Sequence, residues 1–280
     1  MLRWPSSLLP PSRTEGLRWV PAAALFSFLS ILLFTLVVLG TLSLQAQQQR
    51  STLRTQDVAL VDSASRLLSQ RLQEVHTDLR TWAHTALIQR VAAEPHNPGA
   101  RTEAARFLRN VGQEAQIYDQ LRFIDVNGME QVRISMEATD AVIVPDQSLQ
   151  DKSGRYFFQE AMRLKEGEIY MSPLDLNVEH GQVEQPLKPM VRLATPLFDD
   201  NGQRLGILIV NVLGEWLIQE FRQLMPPHRD AVWLNAQGDW LVAPDSALAW
   251  GFMFARPGAR SPSPIPCYGR RCALNPKAAW

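Results

Sequence analysis

Residues 153–211 read SGRYFFQEAMRLKEGEIYMSPLDLNVEHGQVEQPLKPMVRLATPLFDDNGQRLGILIVN, and this stretch carries the clearest signals of secondary structure. It begins with a short aromatic and apolar run that predicts a helix over residues 156–164. It ends in two runs of β-type residues, 192–198 and 205–213, joined by the turn Asp199-Asp200-Asn201-Gly202. Because Asp, Asn and Gly favour tight turns between paired strands, this end of the stretch predicts a β-hairpin.

The same hairpin pattern occurs at two other places, over residues 121–136 and 231–242. Their turns contain Asn and end in Gly128 and Gly238. The first two hairpins in the chain enclose the helix and loop region, and residues 213–224 predict an amphipathic connecting helix. Two hairpins around a helical insertion predict one antiparallel sheet in an α+β fold of the PAS-like type.

A long helix is predicted between residues 45 and 94, which contain neither Gly nor Pro. Apolar residues recur there at spacings of three and four, at Val61, Ala64, Leu68, Leu72, Val75, Leu79, Trp82 and Ala86. Such a narrow stripe needs a partner helix or a domain face. We interpret the helix as a lever that carries motion along the molecule, and plain packing as a stalk is the alternative. Residues 101–116 predict a second helix.

The chain also has a long apolar run at residues 22–44. As a helix this run would be about 34 Å long, which is enough to cross the hydrocarbon core of a bilayer. A cleaved signal peptide is the alternative, but its apolar region is normally shorter, and the sequence after the run lacks a small-x-small cleavage site. Arg3, Arg13 and Arg18 precede the run, so we expect residues 1–21 in the cytoplasm and the bulk of the chain outside.

Charge and cysteine content narrow the class of protein. The 28 Lys and Arg residues balance 28 Asp and Glu residues, so the chain has no overall basic field for nucleic acid. The balance is uneven, because residues 1–44 carry a net charge of +2, residues 45–254 a net −7 and residues 255–280 a net +5. No cysteine precedes Cys267, which is typical of a bacterial periplasmic domain. We therefore predict a single-pass protein of the bacterial inner (plasma) membrane that contacts lipid through one span.

On these residues, above all 153–211, the chain resembles the double Cache, or PDC, sensors of bacterial histidine kinases, diguanylate cyclases and chemoreceptors. The resemblance covers roughly residues 45–254. It implies a membrane-distal PAS-like lobe over residues 95–225 and the first part of a membrane-proximal lobe over residues 226–254. In that family a small ligand binds the distal lobe, and a second transmembrane helix leads to a cytoplasmic output domain.

Residues 255–280 depart from that family pattern. They contain five Pro, no acidic residue and neither helical nor strand periodicity. We interpret this segment as a disordered basic tail produced by a frameshift or a premature stop, which would also leave the second lobe incomplete. A native basic tail is the alternative.

The resemblance further implies a ligand site in the distal lobe. Ligands of the family are mostly small carboxylates, amino acids or related metabolites, held by an Arg at the carboxylate, aromatic residues at the body and an Asp at an amine. Arginine suits a carboxylate because its planar fork donates two parallel hydrogen bonds. The matching positions are Arg155, Tyr156, Phe157, Phe158, Tyr170, Ser172, Asp175 and Arg192.

Two observations limit that implication. Phe157 and Phe158 stand where many amino-acid-binding members carry Trp and Tyr, so the resemblance favours a small anion over an amino acid. Each position also has a structural alternative, with the aromatic residues in the core and Arg192 paired with Asp175.

Catalytic and metal-binding patterns are weak. His76 begins a stretch, HTDLRT, that is similar to a phosphoacceptor box, but it has an extra residue after the His and lies on the predicted outer side, away from ATP. The sequence has no Gly-rich phosphate loop and no nucleophile elbow. Residues 199–202 lack the spacing of a calcium loop, and Cys267 and Cys272 have no second pair for zinc. We therefore expect no catalytic domain, no metal and no cofactor in this chain.

Two functions remain. The first is a membrane-anchored extracytoplasmic module that senses a small ligand, a carboxylate or an amino-acid-like metabolite, for transmembrane signal transduction, without its output domain in this chain. The second is a membrane-tethered interaction or scaffold protein that pairs as a homodimer through its long helix and has no pocket ligand. Stabilisation by one class of metabolite distinguishes the first from the second.

Overall fold

The computed structural model describes residues 14–137, 140–179, 181–226 and 231–254. Side chains are described from residue 23 onward. The predicted basic tail over residues 255–280 lies outside the described residues. The chain divides into two compact units, Met1–Val61 and Asp62–Trp280.

The first unit contains the N-terminal part of one long helix, α1, Thr14–Ala83. Residues 23–50 of this helix are exposed. Within the described residues it is the one helix that is long and apolar enough to cross a membrane, judged by length and composition. The apolar run at residues 22–44 is helical throughout, which is consistent with a membrane anchor.

The second unit begins with the rest of α1 and two shorter helices, α2, Ala86–Ala93, and α3, Pro98–Ala115. We expected one helix over residues 45–94, and this expectation is wrong at Thr85. The hydroxyl of Thr85 accepts a hydrogen bond from the Ile88 amide, so Thr85 caps a new helix instead of continuing α1.

The strands and remaining helices of the second unit follow in chain order. The strands are β1 Tyr118–Asp125, β2 Glu130–Glu137, β3 Asp140–Ile143, β4 Tyr170–Met171, β5 Asp175–Leu176, β6 Val178–Glu179, β7 Gln182–Val183, β8 Pro189–Phe198, β9 Arg204–Leu213, β10 Trp233–Leu234 and β11 Trp240–Val242. The helices are α4, Tyr156–Ala161, between β3 and β4, and α5, Gly214–Leu224, after β9.

Seven of these strands form one antiparallel sheet in the order β3-β2-β1-β9-β8-β4, with β5 also paired to β8. Two small ribbons, β6-β7 and β10-β11, accompany it. Helices lie before, between and after the strands, as expected of the predicted α+β class. That prediction is confirmed.

All three predicted hairpins form. β1 pairs with β2, β8 with β9, and β10 with β11. The strands of the first two hairpins have eight or ten residues, whereas those of the third have two and three. The first turn needs glycine because φ of Gly128 is +89°, and an added Cβ would lie 2.5 Å from the Cα of Ser153.

The central strands β1, β9 and β8 alternate their side chains between two faces of the sheet. The first, which we call the helix face, packs against α1, α2 and α3. Its buried residues are Leu121, Phe123, Val191, Leu193, Leu208, Val210 and Val212. Leu79, Ile88 and Leu108 of the helices belong to the same core and are fully buried.

The opposite face, which we call the cleft face, is apolar only in part. The apolar part packs against α4 and consists of Ile124, Phe157, Phe158, Ala161, Ala194, Ile207 and Ile209. The polar part holds Arg122, Arg192 and Asn211, none of which is more than 2 % exposed. Buried cations need compensating partners, so this part of the sheet is a candidate functional site.

A third apolar cluster includes the third hairpin. Its buried members are Leu176, Ile218, Leu241, Val242 and Trp250. Because Leu176 belongs to β5 and Ile218 to α5, the third hairpin packs with two elements of the main sheet region.

Candidate functional site

Three neighbouring strands bring polar side chains together on the cleft face. Arg192 of β8 lies opposite Asn211 of β9, and Arg122 of β1 lies on the other side of β9. The guanidinium of Arg122 donates a hydrogen bond of 2.6 Å to the side-chain oxygen of Asn211. The strand register therefore holds two guanidinium groups near each other inside the protein, where charges are poorly screened.

Phe157, in the first turn of α4, lies against three guanidinium groups. The Cζ atoms of Arg122, Arg155 and Arg192 are 5.4, 5.7 and 5.8 Å from the centre of its ring. At such distances the face of an aromatic ring attracts a cation. Arg155 is the residue that precedes α4 and is half-buried, so it stands at the rim while the other two arginines lie inside.

These side chains line a small polar cleft. Its lining consists of Arg122, Lys152, Arg155, Phe157, Asn177, Val178, Glu179, Arg192 and Asn211. The space between the atoms is about 200 Å³, including the part that is open to solvent. Because this figure includes open solvent, the enclosed space is much smaller, and the cleft suits a ligand of few atoms.

Arg192 is held by an extensive hydrogen-bond network. Its Nη1 donates to Oδ1 of Asp175 at 2.5 Å, and its Nη2 donates to Oδ1 of Asn177 at 3.1 Å. The hydroxyl of Tyr156 donates to the second oxygen of Asp175 at 2.8 Å. Burial lowers the pKa of Arg192, but Asp175 and Tyr156 together outweigh burial and the net shift is upward. Arg192 therefore remains a fixed positive charge.

Arg122 is as deeply buried as Arg192 and has fewer hydrogen-bond partners. Its Nη1 lies 3.4 Å from Oε1 of Glu130, and its Nε has no hydrogen-bond partner among the described residues. Arg133 of β2 stands opposite Arg122 and shares Glu130 at 3.6 Å. Burial lowers the pKa of Arg122, the Glu130 carboxylate opposes this, and the charges of Arg192 and Arg133 lower the pKa further. Arg122 thus has donor capacity left for an anion.

Lys152 contributes a fourth cation from the loop before α4. Its backbone amide donates to the Gly128 carbonyl at 2.7 Å, which ties this loop to the first hairpin turn. Its Nζ donates to Oε1 of Gln150 at 2.7 Å and lies 4.0 Å from Oε2 of Glu179. Burial lowers the pKa of Lys152. The ammonium group therefore gains from any further negative charge in the cleft.

The cleft belongs to a region that matches a known protein family. Residues 68–259, more than half of the chain, match the family described as bacterial histidine kinase, sensor domain. The chain belongs to this sensor-domain family. No curated protein matches the sequence.

Solved structures share the fold of this sensor domain. A domain of a sensory box/GGDEF family protein from Vibrio parahaemolyticus is 24% identical, with a TM-score of 0.63 over 71% of this chain and 74% of that chain. The extracellular domain of the histidine kinase vpHK1S-Z8 is also 24% identical, with a TM-score of 0.62 over 71% of each chain. A methyl-accepting chemotaxis protein is 14% identical, with a TM-score of 0.50 over 68% and 74%. The predicted resemblance to Cache-type sensors is confirmed.

The sensor domain brings five of the residues proposed from sequence to one place. Arg155, Phe157 and Arg192 line the cleft, and Tyr156 and Asp175 hold the Arg192 guanidinium. The Arg192–Asp175 pair is the structural alternative that the sequence left open. Asp175 is therefore engaged with two donors of its own chain.

The other three proposed residues have structural roles in the sensor domain. The hydroxyl of Ser172 accepts a hydrogen bond from the Arg192 backbone amide at 2.9 Å and so fixes the strand edge. Phe158 is buried in the apolar part of the cleft face, and Tyr170 packs against the same cluster. Burial, followed by the charges of nearby carboxylates, raises the pKa of Tyr170 to about 12.

Six lining residues of the sensor domain were missed from sequence, namely Val178 and the polar residues Arg122, Lys152, Asn177, Glu179 and Asn211. Two of them had a detectable signal. Arg122 stands between Leu121 and Phe123, and Asn211 between Val210 and Val212, so each is a polar residue flanked by apolar residues within a strand. A polar side chain at such a position is buried with its strand and needs partners, which points to a polar site.

Clusters of potential metal ligands were sought in the described residues of the chain. Among residues 14–137, 140–179, 181–226 and 231–254, no group of three or more His, Cys, Asp or Glu side chains is arranged to hold a metal ion. At the cleft itself, the side chains that face the space include four cations, Arg122, Lys152, Arg155 and Arg192.

Proposed function

We propose that this chain is a membrane-anchored sensor module whose cleft binds a small anionic ligand, a carboxylate in the first instance. One observation carries the proposal: Arg122, Lys152, Arg155 and Arg192 converge on a cleft that has room for only a few atoms. Arginine forks bind carboxylates through two parallel charge-assisted hydrogen bonds. Because the chain belongs to a sensor-domain family, ligand binding at the cleft would serve to sense that ligand.

The exposed apolar helix supports a location in the inner membrane with one span. Residues 23–50 of α1 are exposed in the chain, and lipid would cover them. The arginines that precede the run favour a cytoplasmic N-terminus and an extracytoplasmic sensor domain. The cleft would then sample metabolites outside the cytoplasm.

Signal transmission requires that ligand binding favour one of two arrangements. The β5 strand is suited to this, because Asp175 holds Arg192 and the next residue, Leu176, is buried with Leu241 and Trp250 of the third apolar cluster. A ligand that draws Arg192 away from Asp175 would release β5 and alter the packing of the third hairpin. The long helices would then pass the change to an output domain across the membrane.

Pairing through α1 without a pocket ligand is the second candidate function. It is favoured by the exposure of Leu53, Val58 and Val61, which are 47%, 56% and 55% exposed on this helix. Apolar residues at such a density on one helix support contact with another helix.

Thermal unfolding of the full chain in a non-ionic detergent tests the proposal. A panel of small carboxylates, amino acids and uncharged metabolites is screened for an upward shift in Tm, followed by calorimetry on any that stabilise. Stabilisation by carboxylates that is lost in Arg155→Ala supports the cleft. The matched control is Arg90→Ala, which removes a surface arginine that pairs with Glu103. Arg90 is not part of the cleft lining.

The outcomes of the screen are distinct. Arg155 lies at the rim and is half-buried, so its replacement leaves the buried network intact. If a carboxylate binds Arg155→Ala as tightly as the parent chain, Arg155 is removed from the site. If no compound in the panel stabilises the chain, the helix-pairing function becomes the better account.

A further inference from the structure

The charges around the cleft are strongly unbalanced. Four cations and one carboxylate, that of Glu179, line the space. The ion-pair partners of these groups outside the lining are Glu130 and Asp175, and Arg133 shares Glu130 with Arg122. When they are included, five cations face three carboxylates, and two positive charges remain without a counterion.

Each of the three carboxylates is already engaged by the protein. Glu130 accepts from Arg122 and from the Gln150 amide. Asp175 accepts from Arg192 and Tyr156. An ammonium group entering the cleft would therefore meet cations and compete for carboxylates that have partners.

Glu179 is the third carboxylate, and it too is engaged. Its Oε1 accepts from Asn177 at 3.3 Å, and its Oε2 faces Lys152. Burial raises the pKa of Glu179, but Lys152 and Asn177 outweigh burial and the net shift is downward. Glu179 is thus a charged partner of Lys152 and is not an unused acceptor.

The donors, in contrast, are incompletely used. The buried Nε of Arg122 has no hydrogen-bond partner among the described residues, although its side chain is only 3% exposed. Lys152 has three ammonium protons and makes one hydrogen bond, to Gln150. An unpartnered buried donor is costly, and an acceptor with more than one negative oxygen would satisfy several donors together.

We infer that the ligand is a small dianion without an ammonium group, either a short dicarboxylate or a phosphate-like oxyanion. This inference rests on the proposed function, since it assumes that the cleft is a ligand site, and it narrows the ligand class. Two negative charges match the two positive charges that lack a counterion. The small volume excludes long chains between the two acidic groups.

Isothermal calorimetry and thermal unfolding of the full chain in a non-ionic detergent test the inference. The probes are malonate, inorganic phosphate, propionate and L-alanine at about pH 8, where phosphate is mostly dianionic. Malonate or phosphate should bind at least about tenfold more tightly than propionate or L-alanine, because the second charge lies in a poorly screened site. Which dianion binds more tightly distinguishes a dicarboxylate sensor from an oxyanion sensor.

Two variants and a control locate the binding. Arg122→Gln and Arg155→Gln should each weaken binding of the preferred dianion at least about tenfold, and Arg90→Gln should leave it unchanged. Arg122 is buried, so the unfolding curve of Arg122→Gln is measured before its anion binding. Arg155 lies at the rim, so Arg155→Gln tests anion binding without disturbing the interior.

The failures are distinguishable. If L-alanine and malonate bind with equal affinity and Arg155→Gln abolishes this binding, the dianion inference is overturned. The proposed function then stays in place. Dianion binding that neither variant weakens also overturns it, because the anion then binds elsewhere. If neither malonate nor phosphate binds, the inference fails, and the proposed function depends on the wider carboxylate and metabolite screen.

Discussion

The two faces of the central sheet are built from the same three strands and have opposite character. On the helix face, residues such as Phe123 and Val210 pack into a continuous apolar core with α1, α2 and α3. On the cleft face, their immediate neighbours in sequence, Arg122 and Asn211, form a buried polar cluster. A step of one residue along a strand therefore changes the role of a side chain from packing to charge recognition.

The two faces make different contributions to the stability and the function of the domain. Burial of apolar area on the helix face contributes favourable free energy in proportion to that area. A buried ion pair contributes little net stability, because desolvation offsets most of the Coulombic attraction. We expect substitutions on the helix face to lower stability and substitutions in the polar part of the cleft face to alter binding.

The largest effect is expected from Phe123→Ala on the helix face. Phe123 is fully buried, and its truncation leaves a cavity among packed side chains, so the free energy of unfolding should fall by about 3–5 kcal/mol. Denaturant unfolding of the full chain measures this. Val126→Ala, in the exposed turn that follows β1, is the control and should change stability by less than about 0.5 kcal/mol. A small loss for Phe123→Ala would mean that the helix face is not the main source of stability.

The double substitution Arg122→Met with Glu130→Gln tests the cleft face. Arg122 is the neighbour of Phe123 in sequence. The double substitution replaces a buried ion pair by an apolar and a neutral polar side chain of similar volume, so the free energy of unfolding should change by less than about 1.5 kcal/mol in either direction. Anion binding, measured by calorimetry, should be lost. A stability loss as large as that of Phe123→Ala would contradict the proposed division between the faces.

Much of this architecture could be predicted from sequence, because it depends on local patterns. The three turns that contain Asn and end in Gly predicted three hairpins, and the apolar run at residues 22–44 predicted the long N-terminal helix. The break at Thr85 was missed, since neither Gly nor Pro marks it. There a hydroxyl cap competes with helix continuation, and the outcome depends on how α2 packs.

The site was only half predictable for a related reason. Arg155, Phe157 and Arg192 lie in the stretch that carries the family resemblance, so the sequence pointed to them. Arg122 lies outside that stretch, on β1, and it meets Asn211 of β9 only when the two strands pair. The pairing of β1 with β9 joins strands that are distant in sequence and depends on the whole sheet, so local sequence patterns do not reveal it.

Asn211→Asp places an anion within the cleft face itself and so tests whether the arginines there bind anions. Its new carboxylate would accept the hydrogen bond that Arg122 now donates to the amide oxygen, and Arg192 stands opposite on β8. Because charge-assisted hydrogen bonds are stronger than neutral ones, stability should be unchanged or higher by about 1 kcal/mol. Anion affinity should fall at least about tenfold, since the built-in carboxylate satisfies the same donors.

Calorimetry and denaturant unfolding of the same preparation separate the two effects of this change. Asn110→Asp, at an exposed position of α3 on the helix-face side of the sheet, is a matched control that adds one negative charge outside the cleft lining, and it should leave anion affinity unchanged. Unchanged affinity in Asn211→Asp would exclude Arg122 and Arg192 as the anion-binding groups.

The smallest effect is expected from Tyr170→Phe at the edge of the cleft face, and it appears only at high pH. Burial raises the pKa of Tyr170 to about 12, whereas a tyrosine in an unfolded chain titrates near about 10. A group whose pKa is raised on folding stabilises the fold fully below the unfolded value and loses that contribution as the pH rises from about 10 to about 12. Phenylalanine has no proton to lose, so Tyr170→Phe should lose less stability than the parent chain between these two pH values. Unfolding free energies measured at both ends of the window give the difference, and parallel pH curves for the two proteins would show that the Tyr170 hydroxyl is as exposed in the folded chain as in the unfolded one.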